Sequence, residues 1–170
     1  MFDKYHQQQK VVQDLVDKED YDGATKLADK VLNMHKETLQ FFGRVYDKKA
    51  LALNKQDRPL QALKYNDMAV TLYYDDILCH GNRSYTLERL GRFEEAVEEA
   101  DIAISLYPNL EKNKYITEKT QKNAYVNALN NKGYYLYKLG KPEEGLKFVE
   151  EFWGEYKPHS GTPDVRYESD

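Results

Sequence analysis

Apolar residues recur along this chain at three- and four-residue spacing, and breaks group them into paired segments. Ser84, Leu87 and Leu90 mark one face of a helix. Gly91 follows the last apolar position, where a left-handed residue ends a helix. Phe93, Ala96, Val97, Ala100, Ala103, Ile104 and Tyr107 mark a second helix with a period near 3.6. Pro108 stops it, because proline cannot continue the backbone ladder. The facing positions of the second helix are mostly alanine. Small side chains let backbones approach closely, so the spacing predicts a tight antiparallel hairpin.

The pattern recurs. Ala62 and Ala69 stand 34 residues before Ala96 and Ala103, and Ala50 and Leu53 stand before Ser84 and Leu87 at the same step. Pro59 replaces the aromatic after the turn, at a position where proline favours the start of a helix. A looser copy lies 38 residues earlier at Ala24, with Tyr21, Val31, Val12 and Leu15 on matching positions. Met34 to Gly43 is then a longer connection or an extended helix. A further copy lies 49 residues after Ala96, at Gly145, with Gly133, Leu136 and Gly140 in register. The excess falls in Glu111 to Tyr125, which is charged and lacks proline and glycine. It predicts a helix lengthened by up to about four turns.

Ser84, Gly91, Phe93, Ala96, Ala103 and Pro108 together resemble the tetratricopeptide repeat, a helix–turn–helix unit of about 34 residues. The resemblance covers roughly residues 5–157, as repeats at about 5–38, 43–76, 77–110 and 126–157. It implies an all-α, right-handed solenoid of about four hairpins and eight helices. A single domain over 1–157 is expected, with a helical extension at 111–125. A flexible tail is expected at 158–170, which holds Pro158, Gly161 and Pro163.

The resemblance also implies a non-enzymatic module that binds a peptide or partner segment in a concave groove. By register that groove is lined by Arg44, Lys48 and Leu51, then Asn82, Tyr85 and Arg89, then Asn127, Asn131, Tyr134 and Lys138. Asparagine can both donate to and accept from a peptide backbone. Tyrosine gives contact area at low entropic cost. Family members that hold a terminal carboxylate use Lys and Asn, then Asn, then Lys and Arg. Asn82-Arg83-Ser84 resembles the middle element. Asp47 and Leu51, and then Asn127 and Asn131, stand where the others are needed. Without those cations a carboxylate lacks its charge-assisted bonds, so no such clamp is expected.

Leu146, Phe148, Val149, Phe152, Trp153 and Tyr156 give the last helix an apolar face wider than one neighbour needs. Terminal repeats normally carry a polar outer face. An association surface at Phe148, Trp153 and Tyr156 is therefore expected, for a homodimer or a protein partner. This self-associating scaffold is the alternative to the groove reading. A tail folding back through Val165 and Tyr167 is the competing explanation of that face.

Composition narrows the partner class. Twenty-nine acidic against 25 basic residues give a net charge of −4 and a pI of about 5.6. Neither nucleic acid nor an anionic membrane is attracted by such a balance. Lys112, Lys114, Lys119 and Lys122, with Tyr115 and Tyr125, form the one basic–aromatic cluster, read as a solvated helix face. Cys79 is the single cysteine, which points to a reducing, cytoplasmic setting. Met1 to Lys10 is polar and glutamine-rich, unlike a signal peptide or a membrane span. His6, His35, His80 and His159 lack metal-ligand spacing. Acidic pairs such as Glu94-Glu95 and Glu143-Glu144 diverge on a helix. No phosphate loop or nucleophile elbow occurs. No catalytic residue, metal or cofactor is expected.

Overall fold

The computed structural model describes residues 2–109 and 116–155. Among the described residues there are eight α-helices, one 3-10 turn and no strand. The helices are α1 (Phe2–Asp17), α2 (Tyr21–Met34), α3 (Lys36–Lys55) and α4 (Pro59–Leu72), followed by α5 (Ile77–Arg89), α6 (Phe93–Leu106), α7 (Glu118–Lys138) and α8 (Pro142–Glu155). The 3-10 turn, Tyr107–Asn109, follows α6. The stretch after Met34 is an extended helix, since α3 begins at Lys36. The expected extension at 111–125 is helical from Glu118, which adds about two turns to α7. Residues 110–115 and the 158–170 tail lie outside the described residues.

Contacts divide the chain into two compact units, Met1–Phe42 and Gly43–Asp170. In the first, α1 packs on α2. Asp20 caps α2 by accepting from the Gly23 amide at 3.0 Å. Among the described residues of this unit only Ala24 is buried. That thin core matches the degenerate repeat. The second unit is a helical solenoid of three hairpins, α3/α4, α5/α6 and α7/α8.

One turn is built four times. Glu19, Asp57, Gly91 and Gly140 all take positive φ, between 57° and 75°. The amide after each reaches back to a carbonyl five residues earlier. Asp20 bonds Leu15 at 3.0 Å, Arg58 bonds Leu53 at 3.0 Å, Arg92 bonds Leu87 at 2.9 Å and Lys141 bonds Leu136 at 2.9 Å. This satisfies the last carbonyls of the first helix in each pair. Glycine adopts the conformation freely at two of the turns; Glu19 and Asp57 adopt it against side-chain sterics.

Within each hairpin the small residues sit at the crossing. Ala24, Ala62, Ala96 and Gly145 are all buried. The crossing of α7 and α8 is too tight for a side chain. A Cβ on Gly145 would lie 2.5 Å from the Gly133 carbonyl oxygen. Apolar clusters fill the spaces within and between hairpins. Leu87, Ala96, Ala100 and Tyr135 join α5, α6 and α7, and Val126, Leu129 and Phe152 join α7 to α8.

Gly145→Ala must push α8 off α7, because backbone rather than a side-chain tip blocks the methyl. A loss of ~1–3 kcal/mol in urea unfolding is expected; an unchanged midpoint would contradict the packing described. Glu19→Gly relieves the positive φ of the first turn and should add about 1 kcal/mol.

Candidate functional site

The first helices of the three hairpins lie side by side in the second unit. α3 and α5 are joined by buried polar bonds. Asn82 donates from Nδ2 to Asp47 Oδ1 at 2.7 Å. Asn54 donates to Thr86 Oγ1 at 2.7 Å, and that hydroxyl donates to Asn66 Oδ1 on α4 at 2.6 Å. Asp47, Asn54, Asn66 and Thr86 are all buried. Each bond offsets the desolvation of the groups it joins. α5 and α7 meet at Tyr135, whose hydroxyl lies 3.5 Å from Ser84 Oγ and donates to Glu88 at 3.3 Å.

This network decides what the predicted groove residues can do. Arg44 places Nε 2.9 Å from Asp76 Oδ2. Asp76 is buried and caps α5 by accepting from the Leu78 and Cys79 amides at 2.8 and 3.3 Å. Burial raises the Asp76 carboxyl above its ordinary range, and Arg44 and the two amides oppose that. Arg89 donates to the Asn54 carbonyl and to Asp57. Arg44, Asn82 and Arg89 are thus spent on joining elements. Lys48 is exposed, beside Asp47 at 3.3 Å. Leu51 and Tyr85 are half-buried. On α7, Asn127 is exposed, Asn131 and Tyr134 are half-buried, and Lys138 sits over the Tyr134 ring at 5.3 Å.

The predicted association residues separate. Trp153 faces outward, whereas Phe148 packs with Val126, Leu129 and Phe152 and carries Lys132 Nζ over its ring at 3.8 Å. Five residues along a helix place the two side chains on different edges of α8. Tyr156 lies outside the described residues, as do Lys112, Lys114 and Tyr115 of the basic–aromatic cluster. Tyr125 of that cluster stacks on Tyr107, ring centres 4.4 Å apart.

A second buried group escaped the sequence reading. His80 lies 2.8 Å from Glu99 through Nδ1 and 2.7 Å from the Tyr74 carbonyl through Nε2. Arg83 bonds Glu99 and reaches Asp67 at 2.8 Å, so α4, α5 and α6 are tied together. The signal was present: Glu99 falls on the stripe of Ala96, Ala100 and Ala103, and Asn66 on that of Ala62 and Ala69. Helical register alone places them inside. Cys79 is fully buried, and burial first, then the Asp76 and Asp47 charges, pushes its thiol well above the ordinary range. Among the described residues no group of three or more His, Cys, Asp or Glu is placed to hold a metal ion, and no helix is long and apolar enough to cross a membrane.

No family model and no curated protein matches the chain. Among solved structures, that of a MamA mutant is similar over 88% of this chain and 95% of its own, at a TM-score of 0.51 and 17% identity. At that identity the likeness carries the fold alone, and it supports a tetratricopeptide-like helical arrangement.

Arg44→Met leaves Asp76 buried without its cation and should cost ~3 kcal/mol. Its folded-state carboxyl then rises further above the unfolded value. Stability is retained at low pH and lost as pH rises through the folded pKa, so the deficit in urea unfolding should be larger at about pH 7 than at about pH 4. An equal deficit at both pH values would refute the pairing.

Proposed function

We propose that this protein is a non-enzymatic protein-interaction module that binds a partner segment across the first helices of its second unit. The observation that carries this reading is the division of labour on α3, α5 and α7. Beneath the surface, Asp47–Asn82 and Asn54–Thr86–Asn66 hold the helices in fixed register. Above it, Lys48, Tyr85, Asn127, Asn131, Tyr134 and Lys138 keep solvent-facing atoms. A surface whose floor is already ordered loses little further entropy on binding.

The chemistry of this face suits an extended segment with backbone and acidic groups. Lys48 and Lys138 stand at its two ends, with amides and phenols between. A lone terminal carboxylate is a poor fit. Asp47, where the family's clamp has a cation, is a buried acid committed to Asn82. Among the described residues, His80 turns its ring nitrogens to Glu99 and the Tyr74 carbonyl and Cys79 is buried, so neither is offered to a substrate.

Selection of phage-displayed random peptides on the intact protein tests the reading. Selected peptides should lose at least about tenfold in affinity on the Tyr85→Ala and Asn131→Ala variants, because a few central side chains dominate such interfaces. Failure to select any peptide, or equal binding by both variants, would overturn it. Asn82→Ala is unsuitable as a probe, since it unpairs buried Asp47.

A further inference from the structure

The three hairpins of the second unit repeat one docking contact, and the third copy of it has no occupant among the described residues. On α6, the stripe Phe93, Val97, Ala100 and Ile104 packs against α7 residues that include Tyr125, Tyr134 and Tyr135. Twelve residues before each small crossing residue comes its partner on the preceding helix, so Ser84 and Gly133 correspond, as do Ala62, Ala96 and Gly145. In that register the α6 stripe corresponds to Pro142, Leu146, Val149 and Trp153 on α8. These line a groove of about 480 Å³ with Tyr137 of α7. Leu146 is 56% exposed, Tyr137 56% and Trp153 41%.

The covered copies also show the charge of what docks. Arg83 of α5 pairs with Asp67 of α4, and Lys132 of α7 pairs with Asp101 of α6. Arg83 and Lys132 each stand one residue before the small residue of their helix; Asp67 and Asp101 each stand five after the small residue of theirs. Five after Gly145 is Glu150, an exposed acid one residue along α8 from the groove-lining Val149. Glu143, about two turns earlier on α8, lines the same groove. Among the described residues neither makes an ion pair.

We propose that the groove between α7 and α8 docks an amphipathic helix of another protein, with a lysine or arginine that meets Glu150. A helix is the occupant because α5 and α7 fill the equivalent grooves as helices. A second copy is disfavoured on charge. A symmetric pair would bring Glu143 and Glu150 of both copies into one seam. A head-to-tail copy would offer α1, where Val11 stands in the register of Arg83 and Lys132. The acidic rim also repels an anionic lipid surface.

Trp153 is the single tryptophan, so the intact chain reports on the groove directly. The probe is a stapled helical peptide of about five turns without tryptophan, with leucines at i, i+3 and i+4 bordered by lysines. It should shift Trp153 emission to the blue and saturate, binding at least tenfold more tightly than a glutamate-bordered or scrambled peptide. Glu150→Lys should weaken it about tenfold and improve the glutamate peptide, while Leu146→Asp should abolish both. Far-ultraviolet circular dichroism would show that these exposed substitutions leave the fold intact. No response of Trp153 to the lysine peptide overturns the proposal. Emission already shielded in a monomer would assign the groove to residues 156–170 of the chain itself. A shift that grows with protein concentration would assign it to a second copy. Either outcome also overturns the proposal, and none of them bears on the face formed by α3, α5 and α7.

Discussion

Paired helices in this protein approach until backbone limits them, and side-chain volume at the crossing sets that distance. Ala62 and Ala96 are fully buried where their hairpins cross, and at Gly145 even a methyl group would strike the Gly133 carbonyl. A hairpin this close buries its own small residues but leaves larger ones, such as Leu87 and Phe93, on its flanks. Those flanks can be removed from water only by another hairpin. Stacking is therefore the consequence of the tight crossing, and the clusters between α5, α6 and α7 are its result.

Polar bonds supply what apolar flanks cannot, which is register. Leu87 or Tyr135 would tolerate a small slide of one hairpin over the next. The Asp47–Asn82 and Asn54–Thr86–Asn66 bonds would not, because each lost bond leaves a buried polar group without a partner. The His80–Glu99–Arg83–Asp67 chain acts in the same way on the other side of α5. Rigidity of this kind gives the α3, α5 and α7 face a fixed geometry. It also holds Arg44, Asn82 and Arg89 in bonds within the fold.

A repeating contact carries its chemistry from one copy to the next. α8 carries the apolar stripe and the acid that α4 and α6 use to receive the following helix. The exposed face of α8 thus repeats the pattern of an internal interface, which is the basis of the docking proposed for it. Its aromatic character was visible early, but Phe148 turned out to serve the α7–α8 core and Trp153 the open side.

Much of the fold was legible because it depends on local spacing. Ala24, Ala62, Ala96 and Gly145 located the crossings, and Gly91 and Gly140 located two of the four left-handed turns. The other two were hidden, since Glu19 and Asp57 carry no glycine signal. The candidate site was less legible. Register placed these residues on the first helices, yet it could not separate Lys48, which is exposed, from Arg44 and Asn82, which are bonded within. That choice rests on partners 32 to 35 residues away, such as Asp76 for Arg44 and Asp47 for Asn82. Helix positions and crossings follow from side-chain volume and period, so the amino-acid order determined them. The fate of each polar side chain depends on what packing brings opposite it, so only the tertiary structure decided that.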